Sequence, residues 1–224
     1  MTLKRIRVML VDDHAVVRQG FRSLLDKRAD LEVIAEADSS EAAYTLARRL
    51  EPEVIIMDLS MPGQSGMEGI SRLRRVLPQV RILVFTMHHE PLYATQAARA
   101  GANGYITKSS TPDTLVRAVY KVMAGEYPLS PDIAQALAVD KLNGREPGVE
   151  DLTVREFEIF QLLIDGKTVD EIGALLHISP KTVSNCHYQI KSKLGARTDI
   201  DLMHIAIRAG LATHGHGRLG TNTD

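Results

Sequence analysis

The sequence predicts an α/β domain with a five-stranded, doubly wound parallel sheet, followed by a small all-α domain. Two observations predict the α/β domain: short apolar runs alternate with helical patterns over residues 1–124, and most of the runs end in polar residues. A third observation predicts the second domain, because strand signals stop after Leu152 and only helical patterns follow.

Five short apolar runs are the predicted strands. The clearest is 54–57, where four apolar residues meet the carboxylate of Asp58 before Pro62, Gly63 and Gly66 indicate a turn. This run is β-branched and lacks helical periodicity, which is typical of a buried strand in a parallel sheet. The other predicted strands are 6–11, 31–37, 80–86 and 104–107, and the predicted helices between and after them are 16–25, 40–50, 67–77, 92–100 and 112–124.

The remaining chain divides into a linker, a helical domain and a tail. Residues 125–150 are predicted to form a linker with a short helix at 131–142, and the turn-rich stretch 143–150 marks the boundary. Residues 151–212 are predicted to form four short helices, each starting at a capping residue: Thr153, Thr168, Ser179 and Thr198. The polar, glycine-rich tail at 213–224 is predicted to be disordered.

Composition narrows the classes of protein that fit. A hydrophobic content of 44% with 25% charged residues is ordinary for a globular protein in water. The net charge of −1 predicts no overall attraction to nucleic acid or to an anionic membrane. The absence of a long apolar run or signal peptide, together with a single cysteine, Cys186, leads us to expect a cytoplasmic protein without disulfides.

Polar residues end four of the predicted strands: Asp12 with Asp13, Asp58, Thr86 and Lys108. These groups are expected to converge, because the carboxyl ends of parallel strands meet at one edge of a sheet. Three carboxylates repel one another unless a cation is present, and oxygen ligands suit Mg²⁺. Lys108 would neutralise phosphate oxygens and the Thr86 hydroxyl would donate to one of them. The chemistry predicted for this edge is phosphoryl transfer to the Asp58 carboxylate.

This arrangement resembles the receiver domain of bacterial two-component response regulators. The resemblance rests on Asp12-Asp13, on Asp58 followed by Met61-Pro62-Gly63 and Gly66, on Thr86, and on 100–105 before Lys108. It implies a flavodoxin-like sheet with Asp58 as the phospho-acceptor and a sensor histidine kinase as the phosphoryl donor. It also implies a Mg²⁺ site formed by Asp12, Asp13, Asp58 and the Ser60 carbonyl. The residues that it implies for phosphate binding and for the switch are Thr86, Tyr105 and Lys108. Ser109 departs from the family, where a proline often follows the lysine.

The switch pair carries an expectation about motion. Phosphorylation adds roughly −1.5 to −2 charge beside Thr86. We expect Thr86 to move toward the phosphate and Tyr105 to fill the vacated space, which would remodel the surface near 92–100 and 105–120. Each of these residues taken alone has an ordinary structural interpretation, as a turn, strand, core or solvated residue. The functional interpretation depends on their joint occurrence at strand ends.

Residues 170–194 predict a helix, a tight turn at Ile178-Ser179-Pro180, and a second helix. An ordinary helical hairpin fits this pattern, and so does a helix-turn-helix whose second helix enters the DNA major groove. The stretch also resembles the LuxR-type DNA-binding domain, which together with the receiver indicates the NarL/FixJ subfamily. The resemblance rests on Leu152-Thr153, Arg155-Glu156, Gly166, Glu171-Ile172, Leu175, 178–183, His187 and 193–195.

The second helix of this motif is the predicted recognition helix. The resemblance implies that it presents polar side chains to DNA while Val183 and Ile190 face the bundle. The predicted DNA-contacting residues are Lys181, Thr182, Ser184, Asn185, Tyr188, Lys191, Lys193 and Arg197. For each of them a plain solvated side chain is the alternative, and Cys186 is interpreted as a small packing residue.

Charge makes a single helical domain a weak DNA ligand. Residues 150–212 hold seven Lys or Arg residues and nine Asp or Glu residues. We therefore expect a homodimer that binds paired half-sites on double-stranded DNA. Leu202, Ile205 and Ala209 are candidates for the dimer contact, and core packing is their alternative role. A further hypothesis is that the unphosphorylated receiver docks on the recognition helix.

The sequence leaves three other functions open. An enzyme with an aspartyl nucleophile normally has a second carboxylate two residues later, where this chain has Ser60. The receiver resemblance instead implies that the protein is not an enzyme, beyond catalysing its own phosphorylation and dephosphorylation. The other rivals are a regulator that binds RNA or has no output, and a DNA-binding protein that ignores phosphorylation.

Overall fold

The computed structural model describes residues 5–61, 66–142 and 148–212, without the side chains of 140–142. The predicted turn at Pro62-Gly63, the boundary at 143–147 and the tail at 213–224 therefore lie outside the described residues. No helix in the described part of the chain is both long enough and apolar enough to cross a bilayer.

Five parallel strands form one sheet in the order β2-β1-β3-β4-β5, which confirms the predicted fold class. The strands are β1 (Ile6–Val11), β2 (Leu31–Ala37), β3 (Val54–Met57), β4 (Arg81–Thr86) and β5 (Gly104–Thr107). All four residues of β3 are buried because this strand is central and both faces of the sheet are covered. The alternating burial of β2 agrees with its position at the edge.

Five helices cover the two faces of the sheet: α1 (Ala15–Leu25), α2 (Ser40–Leu50), α3 (Gly66–Val76), α4 (Pro91–Ala100) and α5 (Pro112–Met123). Helices α2, α3 and α4 pack on one face around Met57 and Ile70. Helices α1 and α5 pack on the other around Leu83 and Val119. Each helix starts or ends within one residue of its predicted bounds. The predicted cap at Thr111 forms no side-chain capping bond, because its hydroxyl pairs with the Thr114 hydroxyl instead.

The second domain contains a 3₁₀ turn and four helices, and α6 (Pro131–Leu142) precedes it. The 3₁₀ turn is Val149–Asp151, and the helices are α7 (Val154–Ile164), α8 (Val169–Leu175), α9 (Pro180–Leu194) and α10 (Asp199–Arg208). Side-chain caps begin all four helices at the predicted residues. Their apolar faces meet around Phe157, Phe160 and Ile172.

Candidate phosphorylation site and DNA-binding surface

Asp58 lies at the carboxyl end of β3 and is only 2% exposed. Its backbone N–H donates to the carbonyl of Val11 at 2.9 Å, so the sheet ladder continues to this residue and fixes where the carboxylate emerges. Asp12 follows β1 next to it and is also buried. Two buried carboxylates this close together need a compensating charge.

Lys108 supplies that charge. Its ammonium donates to Asp12 Oδ2 at 2.6 Å and to Asp58 Oδ2 at 2.7 Å. Burial lowers the pKa of the Lys108 ammonium, but the hydrogen bonds to Asp12 and Asp58 outweigh burial and hold this pKa above its ordinary value. The lysine follows β5 and spans the edge of the sheet, so the polar strand ends converge as the strand order requires.

The chain turns directly after Asp12, as two adjacent ligands would require. The backbone N–H of His14 donates to Asp12 Oδ1 at 2.8 Å, and the His14 ring nitrogen Nδ1 lies 2.8 Å from Asp13 Oδ1. Ligand atoms of Asp12, Asp13, His14 and Asp58 lie within 4.8 Å of one another. Carboxylate oxygens in this arrangement fit a hard divalent cation such as Mg²⁺.

Ser60 connects Asp58 to the next strand. Its backbone N–H donates to Asp58 Oδ1 at 3.1 Å, and its hydroxyl lies 3.5 Å from the Thr86 hydroxyl and 3.3 Å from His88 Nε2. Sequence reasoning missed His88. The available signal was its position two residues after the polar strand end at Thr86.

Tyr105 is fully buried, and its hydroxyl donates to the carbonyl of His88 at 3.0 Å. Burial raises the pKa of this phenol far above its ordinary value, so the hydroxyl stays protonated. The ring thus already occupies the interior in this structure. The expected movement of Tyr105 into space vacated by Thr86 stays a prediction.

Helices α8 and α9 form a helix-turn-helix with a tight turn. Gly173 lies so close to the turn that an added Cβ would stand 2.9 Å from the carbonyl oxygen of Ile178. His177 adopts a left-handed conformation with φ of 52°. Val183 and Ile190 on α9 are fully buried in the domain core, as predicted.

The outer face of α9 carries the predicted DNA-contacting residues. Lys181, Thr182, Ser184 and Asn185 are exposed, and the Tyr188 side chain is 75% exposed. Thr182 and Ser184 also form hydrogen bonds at the start of the helix. The Thr182 N–H donates to the Ser179 hydroxyl, and the Ser184 hydroxyl donates to the Pro180 carbonyl. This face presents side-chain donors and acceptors, which are the kinds of group that contact base edges in the major groove.

The lysines near the end of α9 are less available for contacts with DNA phosphates than the sequence predicted. Lys191 pairs with Asp199 at 2.7 Å, and Lys193 pairs with Glu156 at 2.7 Å. Arg197 is exposed beyond the helix. Phosphate contacts by either lysine would have to compete with these carboxylates.

The predicted dimer candidates on α10 differ in exposure. Leu202 is buried in the core, whereas Ile205 and Ala209 are half-buried. Ile205 also lines a surface groove of about 600 Å³. Leu202 therefore packs in the domain core, and Ile205 and Ala209 pack against that core with part of each side chain exposed.

Sequence comparisons identify both domains. Residues 8–120 match the profile of the response regulator receiver domain, and residues 150–206 match that of bacterial regulatory proteins of the luxR family. The chain belongs to the two-component response regulators. Its sequence is 36% identical over 208 residues to response regulator UvrY of Escherichia coli K12, covering 92% of this chain and 95% of UvrY. It is 37% identical over 211 residues to response regulator GacA of Pseudomonas viridiflava, covering 92% and 97%.

Solved structures of response regulators are similar as well. A LuxR-family regulator from Aurantimonas sp. SI85-9A1 shares 44% identity with a TM-score of 0.61, covering 62% of this chain and 99% of that one. RcsB of Salmonella enterica serovar Typhimurium, bound to promoter rprA in the presence of the phosphomimetic BeF3⁻, shares 27% identity with a TM-score of 0.72. That match covers 90% of this chain and 98% of RcsB.

The receiver domain contacts the LuxR-type domain through α4. The Tyr93 ring meets Phe157 of α7 edge-on, with 5.5 Å between centroids and 84° between planes. Gln96 is fully buried and donates through Nε2 to the carbonyl of Leu152 at 3.1 Å. Arg99 donates to the carbonyls of Leu152 and Glu150. These contacts lie on α7 and on the turn that precedes it.

A second contact joins α3 to α7. Arg155 donates to Glu68 at 2.9 Å, to Glu158 at 3.1 Å and to the carbonyl of Leu176 at 3.0 Å. The hypothesis that the receiver docks on the recognition helix is wrong for this structure, because the contacts lie on α7 while the outer face of α9 is exposed. The physical reason is that Phe157 and Leu152 offer apolar surface to Tyr93, whereas the outer face of α9 is polar.

Proposed function

We propose that this response regulator is a cytoplasmic transcription regulator whose binding to double-stranded promoter DNA is controlled by phosphorylation of Asp58. A sensor histidine kinase is the proposed phosphoryl donor. The single observation that carries the proposal is the bridge from Lys108 to both Asp12 and Asp58 at one edge of the sheet. Solved RcsB on promoter DNA with a phosphomimetic supports the link between this site and DNA.

The proposed reaction forms a bond between a carboxylate oxygen of Asp58 and phosphorus, while the bond from phosphorus to the donor imidazole breaks. Mg²⁺ held by Asp12, Asp13, Asp58 and the Ser60 carbonyl would neutralise phosphate oxygens. Lys108 contributes a second cation that exchanges its carboxylate partners for the phosphoryl group. Beyond this self-phosphorylation and its reversal, we propose no enzymatic activity.

The proposed output is DNA binding by a homodimer. Each α9 helix would place Lys181, Ser184, Asn185 and Tyr188 in the major groove of one half-site. The acidic balance of the domain leaves one copy with little phosphate affinity, so two copies bind far better than one. Phosphorylation acts by shifting the equilibrium between the docked arrangement seen here and one in which receivers pair.

The experiment that tests this function compares genome-wide DNA occupancy of the wild type and Asp58→Ala. An exposed aspartate on the same domain, Asp38→Ala, is the matched control. Discrete peaks that vanish only with Asp58→Ala support the proposal. Peaks that persist in Asp58→Ala show that DNA binding ignores phosphorylation and overturn it. An RNA-bound fraction in place of DNA peaks would favour the RNA-binding rival.

A further inference from the structure

The start of the linker extends the receiver sheet beyond β5. The Tyr105 N–H donates to the Pro128 carbonyl at 2.9 Å, and the Ser130 N–H donates to the Tyr105 carbonyl at 3.0 Å, so Leu129 pairs in parallel with Tyr105. Gly104 permits this approach, since an added Cβ there would stand 2.8 Å from the Pro128 ring. The linker is thus bonded to the backbone of the switch tyrosine.

The first turn of α6 is hydrogen-bonded to one side chain in the loop after β4 and to one at the end of β5. Asp132 Oδ2 accepts a hydrogen bond from the Thr107 hydroxyl at 3.0 Å and lies 3.1 Å from His89 Nδ1. Thr107 is the last residue of β5 and precedes Lys108, while His89 follows His88 in the loop after β4. Both neighbours of Asp132 are therefore one residue away from groups that contact the phosphorylation site.

The surroundings of Asp132 favour the ionised form of its carboxyl group. Burial raises the pKa of its carboxyl, but hydrogen bonds from Ser130, His89 and Thr107 outweigh burial and hold that pKa below its ordinary value. The rest of α6 is anchored independently, because Ile133 is fully buried in the receiver core and Leu137 packs against it. Removing the Asp132 carboxylate should therefore release the contact without detaching the helix.

We infer that Asp132 is a positioning residue that couples the strand ends after β4 and β5 to the linker helix α6. When Lys108 and Thr86 turn toward a phosphoryl group, His89 shifts with the loop after β4 and Thr107 shifts with β5, and Asp132 carries α6 along. The linker then reports the state of Asp58 to the DNA-binding domain through α6, in addition to the Tyr93 contact. This inference rests on the proposed phosphorylation of Asp58.

The test follows hydrogen exchange of the α6 amides in the full chain, with and without beryllofluoride and Mg²⁺. The variants are Asp132→Ala, Asp132→Asn and the exposed control Gln135→Ala. Beryllofluoride should change α6 exchange in the wild type and in Gln135→Ala, and the change should disappear in Asp132→Ala. Asp132→Asn keeps an acceptor oxygen for Thr107 and should retain part of the response.

A second measurement compares DNA affinity with and without phosphorylation. Asp132→Ala should leave the rate of Asp58 phosphorylation by acetyl phosphate within about twofold, yet reduce the phosphorylated-to-unphosphorylated affinity ratio by about tenfold. The inference is overturned if α6 exchange in the wild type ignores beryllofluoride, or if Asp132→Ala responds like the wild type. An α6 response in the wild type without any phosphorylation-dependent DNA binding would instead refute the proposed function.

Discussion

His88 and Tyr93 stack ring on ring, with 3.9 Å between their centroids and 9° between their planes. His88 lies within hydrogen-bond distance of Ser60, which is bonded to Asp58, and Tyr93 contacts Phe157 in the second domain. Burial lowers the pKa of His88, which favours the neutral ring in this stack. One aromatic pair therefore links the edge that carries Asp58 to the core that supports the recognition helix.

Replacing Tyr93 by alanine should loosen the docked arrangement. Aromatic pairs are worth about 1 kcal/mol beyond their buried area, so the open fraction should rise roughly fivefold. Small-angle scattering should show a larger radius of gyration, and the linker should be cleaved faster by protease. Tyr44→Ala removes a ring from α2, which contacts α3 and the sheet, and should leave both readouts unchanged. Equal behaviour of the two variants would contradict the role of Tyr93.

Lys108→Ala should destabilise the receiver domain in the absence of metal. The substitution leaves the buried carboxylates of Asp12 and Asp58 without their cation, a loss of about 3 kcal/mol in the free energy of unfolding. Added Mg²⁺ should restore much of that loss. Thermal unfolding with and without Mg²⁺ measures the effect, and Lys121→Ala on the exposed face of α5 is the control. Unchanged stability of the metal-free variant would refute the argument.

Gly173→Ala should destabilise the helix-turn-helix by about 1–3 kcal/mol, because its Cβ would be forced against the carbonyl of Ile178. Gly20→Ala is the matched control, since no atom lies within 4 Å of the added Cβ on α1. Alanine at that helix position should stabilise the protein by about 0.5–1 kcal/mol. Urea unfolding of the two variants should therefore give shifts of opposite sign.

Asp199→Asn should strengthen DNA binding. Asp199 forms ion pairs with Lys191 at 2.7 Å and with His187 at 2.8 Å. The hydrogen bond from Lys191 lowers the pKa of the Asp199 carboxyl below its ordinary value. Freeing Lys191 for a phosphate should raise affinity about fivefold and steepen the salt slope by about one unit per copy. Titrations at several salt concentrations measure both quantities. Asp113→Asn removes the same charge from the receiver and is the control. An equal rise in the DNA affinity of this variant would show that net charge alone explains the effect of Asp199→Asn.

Glu156 should make the DNA-binding domain sensitive to acid. Burial raises the pKa of its carboxyl, but hydrogen bonds from Lys193 and the Thr153 N–H outweigh burial and hold the folded-state pKa below 4.5. The stabilising contribution of Glu156 is therefore complete above pH 4.5, the ordinary pKa of this group, and is lost as the pH falls through the folded-state pKa. Glu156→Gln should show a weaker decline in unfolding free energy between neutral pH and about pH 3. An identical decline in both proteins would exclude Glu156 as a cause.

The cluster of Asp12, Asp58 and Lys108 was predictable because each of these residues follows the end of its own strand. Apolar runs located the strands, and parallel pairing obliges their carboxyl ends to share an edge. Asp12, Asp58 and Lys108 were therefore expected to meet although they are far apart in sequence. The capping residues of the second domain were likewise readable, since a cap and its partner are three residues apart.

The contacts of His88, Tyr93 and Asp132 were not predictable from their local sequence. A histidine in a loop, a tyrosine on an amphipathic helix and an aspartate at a helix start each have ordinary local explanations. Their partners Ser60, Phe157 and Thr107 lie in other elements, so the pairings depend on how those elements pack. The exposure of the recognition helix has the same origin, because it depends on which face of the second domain the receiver covers.

The sequence by itself determined the fold class, the polar residues that follow the strand ends around Asp58, and the helix-turn-helix, because periodicity, turn residues and caps act over a few residues. The tertiary structure decided which surfaces meet: α4 against α7, the linker against β5, and Lys191 against Asp199. These contacts join residues from separate elements, and their geometry is set by the packing of whole faces.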